Sequence, residues 1–261
     1  MPTPLELVLH PVNLTILALY GALALAEFLK PARKLPGQPW WRVRGMLAFA
    51  LFFFASSYLP LIWDGWLARF QVLDLTGLPF ALQCAIGFLV YELAVYTWHR
   101  CLHESDFLWR YFHQFHHSAE RLDTFGAFWF SPLDMFGWIV LGSLALVLFV
   151  GVGPQAATAI ILLTTFLSIF THANIRTPRW LGYLIQRPES HGVHHARGFH
   201  RRNYCDLPVI DAIFGTLENP VEHREQFGLV DGGSMRIGTM LLGRDITRAG
   251  PVEEKASAGI S

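Results

Sequence analysis

Five apolar runs, at about residues 12–29, 46–63, 78–98, 133–152 and 155–171, dominate what this chain can become. Each approaches the roughly 20 residues that a helix needs to cross a hydrocarbon core. In lipid every backbone polar group must be satisfied within its own element, so runs of this length are expected as spanning helices. Composition agrees, since 52% of the 261 residues are hydrophobic and 15% charged, against roughly 25% charged in soluble domains. The expected fold class is an all-α polytopic membrane protein with about four to five spanning helices. The first run comes after MPTPLEL, which has no positive segment and carries Glu6, so it is expected as a retained span rather than a cleaved leader.

The basic residues orient these runs. The segment after the first run holds Lys30, Arg33, Lys34, Arg42 and Arg44, and that after the second only Arg69, beside Asp64 and Asp74. Lys and Arg favour the cytoplasmic side. The first loop and the segment from Arg100 to Arg121 are therefore expected inside, with the uncharged GVGPQ tip at 151–155 outside. Everything after His172, with Arg176, Arg179, Arg187, Arg197, Arg201 and Arg202, falls inside as well. A single membrane-embedded domain is expected over 1–244, followed by a polar, small-residue tail at 245–261 that frays. Twenty basic against twenty acidic residues leave no electrostatic footprint for nucleic acid. Cys84, Cys101 and Cys205 are far apart without a CxxC, which argues against a disulfide framework, a zinc knuckle or an iron–sulfur site.

Chemistry concentrates in the histidines. Eight of the twelve form three tight sets: His99 and His103; His113, His116 and His117; His191, His194 and His195. Residues three and four apart share a helix face, so each set is expected to aim its rings in one direction. At this histidine frequency an H-x-x-H-H match arises by chance only about 0.03 times per chain, and two occur. A solvated patch of interfacial histidines explains one set but not three on one membrane face. Neutral imidazole suits iron, zinc and copper. His172, closing the fifth run in FTHANI, is a ninth candidate, although a helix-end histidine is more often a cap or interfacial residue. Glu92 lies two turns before His99, and an acid inside a span is costly without a partner. It is expected either to accept a hydrogen bond from a ligand imidazole or to pair with another buried donor. Nine imidazoles exceed what one metal uses, so two metals sharing them is the economical reading. HExxH and PCxxC are both missing, which disfavours zincin proteolysis and zinc deamination.

These motifs together resemble the fatty acid hydroxylase superfamily, also called the sterol desaturase family, of membrane di-iron enzymes, over a core of 85–217. The resemblance rests on Glu92, Tyr96, His99 and His103 in ELAVYTWHRCLH, on HQFHHS, on HANIR, on ESHGVHH, and on NYCDLPVIDAIFGT at 203–216. It implies metal ligation by His99, His103, His113, His116, His117, His172, His191, His194 and His195, with Glu92, Tyr96, Asn203 and Asp211 in support. Ile210 stands where the family commonly has Trp, Cys205 where it has a smaller residue, and WFSP at 129–132 where many members have Arg-x-His-Pro. The implied activity is O2-dependent hydroxylation or desaturation of a membrane lipid (sterol, fatty acyl or sphingolipid type) by two iron ions, in a histidine-rich helical cap on the cytoplasmic face, with no catalytic side chain beyond the ligands. Zinc can occupy such sites in preparations. With no GxGxxG and no cysteine set, the electrons are expected from an external reductase, ferredoxin or cytochrome. Two other readings stay open: a membrane metal-binding or transport protein, and a dinuclear zinc lipid hydrolase.

Overall fold

The computed structural model describes residues 1–248. After a short helix at Pro4–Leu9, α1 (Pro11–Leu29) and α2 (Trp41–Tyr58) form an antiparallel pair. Pro60 has no N–H for the carbonyl four residues back, so the ladder divides at Leu59 and resumes over Pro60–Leu67. Then come α3 (Phe80–Glu104), α4 (Gln114–His117), α5 (Pro132–Ser143), α6 (Pro154–His172), α7 (Pro188–His194) and α8 (Pro208–Ile213). Proline opens α1, α5, α6, α7 and α8, where its missing N–H is an orphan anyway. Among the described residues there is no strand, only an isolated bridge between Ala196 and Phe227.

Among the described residues, five helical stretches are long and apolar enough to cross a membrane, as an integral membrane protein requires: Pro11–Leu29, Trp41–Phe70, Phe80–Glu104, Pro132–Phe149 and Pro154–His172. Their outward faces carry large apolar side chains in the open, among them Phe28, Leu47, Leu51, Leu89, Phe136 and Leu163. Exposure on this scale marks a face meant for lipid or a partner. The inward faces interlock instead: Tyr91, Leu146, Val152 and Ile160 pack between α3, α5 and α6, and Tyr20, Phe49, Phe53 and Phe128 between α1 and α2.

At one end of the bundle a polar weld joins the spans to the histidine-bearing segments. Glu27, near the end of α1, accepts from the Thr124 backbone (3.0 Å), the Thr124 hydroxyl (2.9 Å) and the Asn174 backbone (3.0 Å). Trp41 Nε1 donates to Asp123 Oδ1 at 2.8 Å. At the opposite end the turn after α5 is held by Gly151, at φ +56°, where an added Cβ would collide with the Leu73 carbonyl.

The stretch expected to fray from residue 245 begins docked. Ile246 is fully buried with Phe115, Trp129 and Met240, its N–H faces Gln114 Oε1, and Gln114 Nε2 donates to the Arg244 carbonyl at 3.1 Å. One buried isoleucine anchors four residues that polarity alone marked as loose. Residues 249–261, the remainder of that expected tail, lie outside the described residues.

Candidate metal centre

Each histidine set sits where a helix enters or leaves the bundle. His99 and His103 occupy the last turns of α3, four apart and so on one face. His113 ends a π turn, Trp109–His113, that runs into α4, with the Gln114 N–H on the Trp109 carbonyl. Such wide turns concentrate at functional sites because they rotate the next residues of the helix to a new phase. His172 is the last residue of α6. His191 and His194 lie on α7 and His195 caps it. That short helix is anchored by Glu189, which accepts from the Thr177 backbone (2.8 Å) and hydroxyl (2.7 Å).

The nine imidazoles converge as two groups. His99, His103, His113, His117 and His194 form one, and His116, His172, His191 and His195 the other, with the candidate ligand nitrogens of each group within 4.8 Å of one another. The groups abut, the rings of His117 and His195 stacking at 4.2 Å. The expectation that each H-x-x-H-H set points one way is corrected by this partition. In 113–117 the pair four apart joins the first group and His116 the second; in 191–195 the pair four apart joins the second and His194 the first. The reason is angular: at 3.6 residues per turn, adjacent histidines point about 100° apart, so a box can serve two centres.

Their tautomers are set by what the outer nitrogens touch. His99 Nδ1 meets the Tyr204 carbonyl at 2.7 Å, His194 Nδ1 the Arg202 carbonyl at 2.9 Å, and His172 Nδ1 the Ser168 carbonyl at 2.7 Å. His113 Nδ1 meets Asp134 Oδ2 at 2.9 Å. Carbonyl and carboxylate oxygens accept only, so each Nδ1 carries the proton and each Nε2 presents a bare lone pair. Yet His99 Nε2 and His113 Nε2 stand 3.0 Å apart, and His172 Nε2 lies 3.2 Å from both His116 Nε2 and His191 Nε2. The buried Nε2 atoms of His103, His117 and His194 have no hydrogen-bond partner at all. Converging lone pairs in a dry site repel one another unless a cation lies among them, and an all-imidazole set suits a first-row metal. Burial, then the neighbouring imidazoles, push His113, His116, His117, His191 and His195 well below the usual histidine range. His194 shifts the same way, burial again first. They are therefore neutral near pH 7, the form that ligates.

Of the two partners expected for Glu92, the structure has the second, a buried donor other than an imidazole. Glu92 touches no imidazole; its Oε2 accepts the Asp206 N–H at 2.8 Å. The carboxylate on a histidine is Asp134, fully buried at the start of α5, which sequence reasoning missed. The signal was present, because Asp134 is also an acid opening an apolar run. Asp211 accepts the Tyr204 N–H at 2.9 Å and the Thr216 hydroxyl at 2.7 Å, and so fixes the carbonyl that holds His99. The Tyr96 ring packs edge-on to Tyr204 at 5.7 Å, and its hydroxyl lies 3.2 Å from Thr216 Oγ1. Asn203 donates to the Ser190 and Glu218 carbonyls and accepts the Glu218 N–H, each at 2.8 Å. These three bonds hold a segment in which His200, Arg202 and Asn203 all have positive φ, a conformation costing about 1–3 kcal/mol per non-glycine residue. That strained turn aims the Arg202 and Tyr204 carbonyls at His194 and His99. His200 is a further missed neighbour, its Nδ1 3.2 Å from His117 Nδ1; no spacing in HARGFH announces it.

Next to the groups lies a cavity of 390 Å³, bounded at one end by His99, His113, His116, His172 and His191 and continuing along apolar residues of α1, α2, α5 and α6.

Comparison with known proteins places this arrangement. The sequence profile described as fatty acid hydroxylase matches residues 84–216. The chain is 34% identical over 147 residues, 54% of its length, to the ornithine lipid hydroxylase OlsE of Rhizobium tropici. It is 31% identical over 173 residues (64%) to the Delta(7)-sterol-C5(6)-desaturase of Nicotiana tabacum, and 29% over 179 (67%) to the alkylglycerol monooxygenase of Danio rerio. The matches span 44%, 60% and 37% of those relatives' own lengths. No solved structure matches at comparable stringency. The matched region runs from α3 to just beyond α8 and takes in all nine clustered histidines, and the chain belongs to the fatty acid hydroxylase family.

Proposed function

We propose that the protein is a membrane lipid hydroxylase or desaturase that holds two iron ions on its nine clustered histidines, His99, His103, His113, His117 and His194 on one and His116, His172, His191 and His195 on the other. The observation that carries this reading is the facing of bare Nε2 atoms, with tautomers fixed from behind by Asp134 and by the Tyr204, Arg202 and Ser168 carbonyls. Bound iron would supply reductive activation of O2 at a lipid C–H bond. Hydroxylation puts one oxygen atom into the lipid and releases the other as water, with two electrons from an external donor; desaturation removes two hydrogens at the same electron cost. The protein's own part is to hold the centres, exclude water and position the chain. His99, His113, His116, His172 and His191 form one wall of the cavity, so a lipid in it lies against both groups. Asp134, Asp211 and Asn203 act as positioning residues, through His113 and the 202–204 backbone.

The reading includes one membrane-embedded domain through residue 244, an electron donor that is a reductase, ferredoxin or cytochrome, and a cytoplasmic histidine face. The basic loops that flank the histidine-bearing ends of the spans support that orientation. The names of the relatives support a lipid substrate: an ornithine lipid, a sterol and an alkylglycerol are each named as what a relative modifies. The test is metal analysis and O2 uptake on purified protein with reductant and host lipids. About two irons per chain and reductant-dependent uptake are expected, and His195→Ala is expected to lose one iron and the uptake. Turnover that proceeds without O2 on a zinc-loaded protein sinks the proposal.

A further inference from the structure

The cavity does not end in apolar residues. Beyond the stretch lined by Phe49, Phe53, Ile139 and Leu146 it reaches Asn13, Ser56, Ser57, Asp64, Ser143 and Thr158, at the end of the bundle opposite the histidines. Along α6 the cavity wall runs from Thr158 to His172, fourteen residues or about 21 Å of helix, and Ser143 stands about 14 Å along α5 from Asp134.

The hydrogen-bond accounting at this far end is one-sided. Ser56 and Ser57 both donate to the Phe53 carbonyl, Thr158 to the Pro154 carbonyl, and Asn13 Nδ2 to the Leu7 carbonyl. Trp63 Nε1 donates to Ser143 Oγ at 2.9 Å. The donors of Ser56, Ser57, Thr158 and Asn13 are thus spent on backbone carbonyls, and Ser143, which accepts from Trp63, has its own O–H for the Asp64 carboxylate beside it, while the hydroxyl oxygens and that carboxylate keep accepting capacity. Asp64 Oδ1 is buried and without any partner. No Lys or Arg lines the cavity among the described residues. A group that brings its own donors finds acceptors here, and an anion finds no cationic side chain.

We propose that this end is a recognition site for the polar terminus of the lipid substrate, that the terminus is a hydrogen-bond donor, a hydroxyl or an amine, and that oxidation falls on the distal part of the chain. The inference rests on the lipid-oxidation reading for its second half only. The lipid lies along the cavity, with its head at Asp64 and its far carbons at the imidazole wall. Carboxylate-terminated lipids are disfavoured because their head would face the half-buried Asp64 carboxylate with no Lys or Arg between them.

Binding is tested without turnover. Hexadecanol, hexadecylamine and hexadecanoate are titrated into the detergent-solubilised full-length protein, and the shift in unfolding midpoint is followed. Hexadecanol or hexadecylamine is expected to half-saturate at about tenfold lower concentration than hexadecanoate, the size of effect that one hydrogen bond to a charged group gives. Which of the two binds tighter identifies the head group as alcohol or amine. Asp64→Asn should erase any preference for the amine, and Asp64→Lys should turn the ranking toward hexadecanoate. Gly142→Leu, which narrows the cavity midway, should weaken all three and serves where the charge variants do not fold. Equal stabilisation of the unaltered protein by the three probes, or an unchanged ranking in Asp64→Lys, overturns the site. In turnover, a product oxidised within the first few carbons of its polar end overturns the placement. Because the binding assay needs neither iron nor O2, its failure leaves the oxidase reading standing, and loss of O2 uptake leaves the binding site standing.

Discussion

Three of the five imidazoles in the first group, His99, His113 and His194, spend Nδ1 on a fixed acceptor, against one of four, His172, in the second. The first group also has the carboxylate, Asp134, and the strained 200–203 turn behind it, whereas the second leans on the ends of α6 and α7. Orientation from behind costs folding energy and yields a group whose imidazoles would stand in place before any metal binds. The group of four is held more loosely and has no ligand to spare.

The difference has measurable consequences. Largest is the response to losing one ligand. His191→Ala takes the second group from four imidazoles to three, and metal analysis is expected to fall from about two ions per chain to about one, whereas His103→Ala leaves four in the first group and keeps both. Equal losses from the two variants would erase the distinction. Next is Asp134→Asn, which removes the charge that fixes the His113 tautomer. Metal affinity at the first group should drop about 10–100-fold in competition with a chelator, with the second group unmoved. Smallest is the effect of acid on the metal-free protein. The six clustered histidines outside the spans have folded-state pKa values below the unfolded ones, so the unfolded chain binds more protons whenever the pH falls beneath the ordinary value of about 6.5. Stability is full above that value and declines below it. A midpoint that is level above about pH 7 and drops on acidification is the expected thermal profile; a rise toward acid pH contradicts the buried, neutral state.

Much of this was legible in the chain. The five spans could be read because twenty apolar residues have few alternatives, and only their edges moved. The second span begins at Trp41 rather than at about residue 46, since Arg42 and Arg44 depress the local hydropathy without breaking a helix, and it runs to Phe70. Eight of the nine clustered histidines could be found because repeated short spacing survives folding, and the ninth, His172, from its place at the end of a span together with the family resemblance. What could not be read was the partition of each box, which depends on a 100° step and on a π turn that no composition marks. Nor could the backs of the ligands be read: Asp134 reaches His113 from 21 residues on, and the Tyr204 carbonyl reaches His99 from 105 away. Such partners are set by tertiary packing. Glu92 shows the same limit from the other side, since its depth in a span predicted a polar partner but not that a backbone N–H would be the one.

The interleaving of the boxes bears on how the protein is made. The first group draws on residues from His99 to His194 and the second on residues from His116 to His195. A chain made only through α6 carries the two earlier boxes, yet neither group has its members from 191–195. Both centres therefore close late, when distant segments dock. A chain that stops before residue 191 has four of the five imidazoles of the first group but only two of the four of the second, so the second group is the one that cannot form without the last segment.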